Sequence, residues 1–274
     1  MGSPVPCFIR RRFVQYLYFR RVKAKLTIDH KEYSCDLSKP MDISIPLQNG
    51  ASNPAAWYIG PPQFDPVVLD DWTGSVEQGG SVNFFNIKFN PHAHGTHTEC
   101  LGHISPEQHS INEHFQGFFS LARLITVEPI ELGPDHIITA HELERVLADF
   151  KGKSVVIRTK PNTEEKKCRD YNNTNWPYLN EEAAIYLRQR GVEHLLIDLP
   201  SVDQEEDGGA LAAHRAFWHY PEQPRLSATI TELIYVPNHI TDGDYLLNLQ
   251  VAPFHNDAAP SRPVLYAITE QKAL

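Results

Sequence analysis

Apolar and polar positions alternate over Lys23–Ile28 and again over residues 33–37, with polar Asp29-His30-Lys31 between them, the pattern of a β-hairpin. A Pro-, Gly- and Asn-rich passage at residues 49–66 reads as a long loop, and loops of that length in compact domains tend to carry function. The apolar run at residues 84–89 predicts a strand, as does the alternation at residues 121–127. Thr139 stands three residues before Glu142, a capping box that opens a helix with Leu143, Val146, Leu147 and Phe150 as its buried stripe. Ser154–Thr159 is a buried strand. Asn180 then caps a helix with Ala183, Ala184 and Leu187 inward and Gly191 at its end, and residues 194–199 form the next strand. Strand, helix, strand in this order implies parallel pairing and an α/β class. Between these elements residues 160–177 are polar, Asn-rich and aperiodic, a mobile loop in a position to cover a site. A short helix is predicted at residues 210–218.

Residues 227–236 alternate with two possible inner faces. One carries Ala228, Ile230, Glu232, Ile234 and Val236; the rival carries Thr229, Thr231, Leu233 and Tyr235. On the first, Glu232 sits inward, which is costly unless it is paired or bound to a metal; on the second it faces solvent. Residues 244–252 and 263–268 read as closing strands. No repeat, low-complexity segment or linker interrupts the pattern, so one domain is expected, running from residue 23 to residue 274.

A chain of 274 residues with 41% hydrophobic and 22% charged residues can bury a sizeable core unaided. Its formal net charge of −9 argues against nucleic acid as a partner. No apolar run approaches the length of a membrane span, and no membrane partner is expected. The four cysteines have no paired spacing, which fits a reducing compartment, here the cytoplasm. Residues 10–21 are basic and aromatic, unlike the acidic remainder. They read either as a membrane-surface or targeting segment or as an extension outside the fold. The second is the expectation for residues 1–22.

The densest chemistry is His92-Ala93-His94-Gly95-Thr96-His97-Thr98-Glu99-Cys100-Leu101-Gly102-His103. On an extended backbone, period-two alternation puts His97, Glu99 and His103 on one face. Imidazole nitrogens and a carboxylate projecting into one space are donors for a divalent transition metal. His103 is then a further ligand or a free acid/base. Gly95 and Gly102 allow a bend or close backbone approach. Cys100 faces away from His97 and reads as a buried structural thiol.

The run from Gly95 to His103 resembles the signature of the cyclase family of metal-dependent hydrolases, which includes bacterial kynurenine formamidase and has the pattern H-x-G-T-H-x-D-x-P-x-H. Gly95, Thr96, His97 and His103 match; the first His falls on Ala93, the Asp on Glu99 and the Pro on Leu101. The family's first His is a metal ligand. His92 and His94 flank the gap but point to the opposite face of a regular strand, and a bulge or kink near Gly95 would swing His94 inward. Downstream, Ala213-His214-Arg215-Ala216-Phe217-Trp218 and Thr229-Ile230-Thr231-Glu232-Leu233-Ile234 are similar to the family's segments carrying a metal-binding His and Glu. The stretch ending Ser201-Val202-Asp203 is similar to its strand and Ser-x-Asp turn.

The resemblance implies a single α/β domain with a mixed, barrel-like sheet and flanking helices. It implies metal ligands His97, Glu99, His214 and Glu232, with His94 as the kinked-in fifth, and His103 as general acid/base. Trp57, on the early loop, would contact substrate. The cofactor would be zinc, with manganese the alternative, as one or two ions. The expected activity is hydrolysis of a small-molecule amide: N-formylkynurenine to kynurenine and formate, a step of tryptophan catabolism, carried out by a homodimer. The competing expectation is a degenerate relative that binds a small ligand without turnover, with Ala93 as its support. A Ser- or Cys-nucleophile hydrolase is disfavoured, because no Gly-x-Ser-x-Gly elbow occurs.

Overall fold

Strands with two apolar faces need cover on both sides, and the chain supplies it by closing a sheet on itself. The computed structural model describes residues 21–271, so the N-terminal reading lies, through residue 20, outside the described residues. In chain order the main strands are β1 (Lys23–Ile28), β2 (Lys31–Asp36), β3 (His97–Glu99), β4 (Phe119–Val127), β5 (Ser154–Thr159), β6 (His194–Ile197), β7 (Thr229–Glu232), β8 (Gly243–Val251) and β9 (Ala258–Gln271). Among the described residues seven of them close a barrel in the order β9-β8-β4-β5-β6-β7-β3 and back to β9. The pairs β4–β5, β5–β6 and β6–β7 are parallel, and the other four are antiparallel. Closure depends on the length of β9. Its first residues pair with β3, its middle with β8 and its end with β2, which extends the sheet to β1. The result is a mixed α/β single domain with a barrel-like sheet and few helices.

The barrel interior is filled by Ala122, Leu124, Val156, Leu196, Leu247 and Leu265, among others. On its outer face pack α1 (Ala140–Leu147), α2 (Glu181–Gln189) and α3 (Ala212–Trp218), covering Val155, Ile157, Leu195, Ile197 and Ile230. The predicted caps form: Thr139 and Glu142 make a reciprocal capping box, and Asn180 accepts from the Ala183 amide. Val146 is only partly buried, beside buried Leu143, Leu147 and Phe150.

Three expectations change. Within residues 84–89 the strand is Phe85–Lys88, but its side chains are exposed; it pairs with Gln63–Pro66 in a two-stranded ribbon outside the barrel. The ambiguity of residues 227–236 is resolved by a kink. Ile230 faces the helices, but Leu233 takes a left-handed φ of 52°, and Ile234 and Val236 then point into the barrel. One segment therefore serves two layers, which strict alternation cannot express. The polar loop at 160–177 is anchored rather than loose. Lys166 is buried and its ammonium meets Asp198 at 2.7 Å, while Tyr171 and Trp176 are 2% exposed and pack against Ala56 and Leu233.

Candidate metal centre

The site lies between the barrel wall and α3, where three distant pieces of chain meet. Strand β7 pairs with β3 so that Glu232 stands opposite His97, and β9 pairs with β3 on its other side with Ala258 opposite Glu99. His97 and Glu99 share the outer face, as alternation requires, while Thr98 turns away to meet the Thr231 hydroxyl at 2.8 Å. Cys100 belongs to the interior cluster, where burial pushes its thiol up to about 11.

His103 reaches the same space by a different route from the one alternation predicts. The backbone leaves the strand at Cys100 and turns through a 3-10 turn, Leu101–His103. Gly102 makes this turn possible, because a Cβ there would lie 2.2 Å from the His109 carbonyl oxygen.

The largest correction concerns the first histidine. Residues Pro91–His94 form one helical turn, with Asn90 as its cap and Pro91 at its first position. A helical turn rotates successive side chains by about 100° rather than 180°. His92 therefore enters the cluster, with Nδ1 3.2 Å from Glu99 Oε2. His94, the expected fifth ligand, does not. Its Nδ1 accepts the Asn90 amide at 3.0 Å, its ring lines the cavity of the 50–62 loop, and burial lowers its pKa.

Each ring in the cluster has an acceptor for its outer nitrogen and turns the other nitrogen inward. His97 donates from Nδ1 to the Gly95 carbonyl at 3.0 Å, and its Nε2 lies 3.3 Å from Glu232 Oε2. His214 pairs through Nδ1 with Asp203 Oδ2 at 2.5 Å, leaving Nε2 3.0 Å from Glu99 Oε1. His92 Nε2 meets Asp257 Oδ2 at 3.0 Å. An outer acceptor that fixes tautomer and ring orientation is the usual support of a metal-binding histidine. Asp203 also accepts the amides of Ala213 and His214, so the carboxylate that orients His214 also caps α3. Glu232 is held by the Val202 amide at 3.0 Å.

These residues fit a divalent cation. Nε2 of His97 and Oε2 of Glu99 are buried without a hydrogen-bond partner. Both belong to the triad His92, His97, Glu99, whose ligand atoms lie within 4.8 Å of one another. Orphaned buried lone pairs are expensive, and a cation satisfies them. A second triad, Glu99, His103 and His214, shares Glu99, whose longer side chain presents one oxygen to His92 and the other to His214.

The electrostatics follow the same layout. Burial opposes charge on Glu99, but His103, His214 and His92 hold its carboxyl well below the usual range. Burial likewise opposes the His92 imidazolium, and the nearby carboxylates of Asp257 and Glu99 more than offset it, raising the group to about 10. His214 is raised well above its ordinary value by Asp203 and Glu99, against burial.

Trp57 sits in a left-handed conformation, φ 61°, half-buried beside Leu233, the neighbour of Glu232. It packs edge-on against Trp176 with centroids 5.1 Å apart, and the Trp176 indole donates to the Asp203 carbonyl. Sequence reasoning missed Trp176, Asp203 as an orienting group, Asp257 and His92. Only His92 had a local signal, the Asn-Pro start of a helix.

The sequence matches the family described as "Putative cyclase" over residues 35–204, and the chain belongs to that family. Its similarity to individual members is spread over most of its length. It is 30% identical over 234 residues to the kynurenine formamidase of Bacillus anthracis, covering 84% of this chain and 99% of that one. With the kynurenine formamidase of Bacillus mycoides the identity is 29% over 234 residues, 84% of this chain and 99% of that one. Among solved structures, one described as a potential metal-dependent hydrolase with cyclase activity has a TM-score of 0.59 at 17% identity, over 84% of this chain and 98% of that one. Isatin hydrolase A from Labrenzia aggregata has a TM-score of 0.60 at 13% identity, over 84% and 93%. At these identities the structural likeness speaks to the fold. Among the described residues no helix is long and apolar enough to cross a membrane.

Proposed function

We propose that this chain is a metal-dependent amide hydrolase of the arylformamidase type, releasing kynurenine and formate from N-formylkynurenine. The observation that carries the reading is the inward convergence of His92, His97, Glu99, His214 and Glu232, each ring held from outside by its own acceptor. When bound, a divalent ion such as zinc supplies Lewis acidity toward the amide carbonyl and makes a water nucleophilic at neutral pH. His92, His97, Glu99, His214 and Glu232 would hold it. His103, whose side chain is 30% exposed on the open side of the cluster, is placed to pass a proton to the departing amine. Trp57, braced by Trp176, offers an aromatic face for the substrate ring. The competing ligand-binding reading rested on Ala93 and on whether His94 reaches the cluster; His94 stays outside it, and the His92 nitrogen beside Glu99 is what supports the hydrolase reading instead.

The test is metal analysis of the purified protein beside His97→Ala and Glu232→Ala, followed by assays on N-formylkynurenine and isatin. Near-stoichiometric zinc or manganese, lost in both variants, with turnover of the formyl amide, is expected. Protein that stays metal-free after incubation with either ion would refute the mechanism. Turnover of isatin alone would move the substrate class to cyclic amides.

A further inference from the structure

Asp257 lies 160 positions beyond His97, next to the first residue of β9, and nothing in its local sequence marks it. Its backbone is locked to the motif. The Asp257 carbonyl accepts the Cys100 amide at 3.0 Å, the Asn256 carbonyl accepts the Ile111 amide at 2.8 Å, and Ala258 is in register with Glu99. The β3–β9 pairing that closes the barrel thus also sets where this carboxylate stands.

One of its oxygens, Oδ2, lies 3.0 Å from His92 Nε2 and 3.4 Å from His103 Nδ1. The two rings stack at 4.4 Å between centroids, 26° from parallel. Their other nitrogens both turn to Glu99 Oε2, His92 Nδ1 at 3.2 Å and His103 Nε2 at 3.7 Å. A histidine with one nitrogen bound to a carboxylate is held in one tautomer and one ring orientation. Asp203 does this for His214 across the site; Asp257 does it for two rings with a single atom.

We propose that Asp257 is a positioning residue that couples the metal-binding ring of His92 to the acid/base ring of His103. By taking the outer N–H of both, it keeps the His103 Nε2 lone pair aimed at the cluster and prevents the ring from flipping on the open side of the site. His103 and His92 keep 30% and 18% of their side-chain surface exposed, so packing alone does not hold either ring of the stack in place. The inference rests on the hydrolase reading for its kinetic part but not for its structural part.

The experiment compares zinc-loaded wild type with Asp257→Ala and Asp257→Asn. Histidine ring nitrogens are followed by ¹⁵N NMR, bound zinc by mass spectrometry, and kcat and KM on N-formylkynurenine. The expected result is a wild-type His103 protonated at Nδ1, a tautomer lost in the alanine variant and partly kept by asparagine, which retains an acceptor oxygen. Zinc stoichiometry is unchanged, and kcat falls about 10- to 100-fold while KM stays within about threefold. An alanine variant that keeps the wild-type tautomer overturns the proposal. So does one that loses an equivalent of zinc, which makes Asp257 a ligand. If no preparation hydrolyses the substrate but the tautomer changes as described, the positioning role stands and the hydrolase reading is what fails.

Discussion

Thr96 supports the kink that directly follows Glu232 and ends its strand, and replacing it with valine tests that support. Its hydroxyl donates to the Leu233 carbonyl at 2.5 Å and accepts the Ile45 amide at 2.7 Å. Thr96, Leu233 and Ile45 are at most 5% exposed. Valine is close in shape but removes both bonds, leaving a buried carbonyl and a buried amide without these partners. Each orphaned group costs about 1–3 kcal/mol, so Thr96→Val should lose about 2–4 kcal/mol, the lower end if water reaches the gap. Reversible urea unfolding of metal-free protein measures this. With a slope of about 2–3 kcal/mol/M for a chain of this size, the midpoint should drop by about 1 M. Thr96→Ser keeps the hydroxyl and should recover most of the loss. Because Leu233 follows Glu232 directly, Thr96→Val should also bind zinc more weakly than Thr96→Ser. A valine variant within about 0.5 kcal/mol of wild type, a change too small for two orphaned groups, would show that these bonds do not hold the kink.

The linked groups of the cluster predict proton release. In metal-free protein at pH 7, His92, raised to about 10, and His214, also raised, carry protons that a cation must displace. Zinc binding should therefore release on the order of two protons, read by calorimetry in buffers of different ionisation enthalpy; no release would contradict the pairing described. The stability contributed by a raised His92 is fully present below its unfolded value near 6.5 and declines as pH rises toward 10, so metal-free protein should weaken across that window. His194 has the opposite sign. Burial lowers it to about 4, so the contribution of its neutral form is full above 6.5 and is lost as pH falls through 4, about 3 kcal/mol in all. His194→Gln should flatten that limb of a pH–stability curve, and an unchanged limb would exclude His194 as its source. Breaking the buried Lys166–Asp198 pair with Lys166→Met should cost about 3–5 kcal/mol and open residues 160–177 to protease; resistance equal to wild type would mean the pair does not anchor the loop.

Periodicity and capping made most of the scaffold legible. The Thr139–Glu142 box, the Asn180 cap and the buried strands at Ser154–Thr159 and His194–Ile197 are local events, and local sequence encodes them. His97 and Glu99 were legible for the same reason, being two residues apart on a true strand. His214 and Glu232 came from the order of segments in the family. His92 was misread because alternation was extended across a helical turn that Asn90 and Pro91 announce. Asp203 and Asp257 could not be found locally, since each acts on a ring brought to it by tertiary pairing. Lys166 defeats composition-based reading altogether: a lysine in a polar loop is expected in water, and only Asp198, on the segment after β6, explains its burial.

The anchoring of residues 160–177 bears on traffic through the site. A segment that must break a buried ion pair and withdraw Tyr171 and Trp176 to lift is open only rarely, since each ~1.4 kcal/mol lowers the open population tenfold. On the proposed function, substrate and product would then pass by the exposed edges of His103 and Asp257 rather than beneath a moving flap. On the same proposal, Trp57, resting on Trp176, would meet a substrate ring as a standing wall. Turnover by such a site would be paced by encounter and chemistry, and solvent viscosity should slow it no more than it slows diffusion.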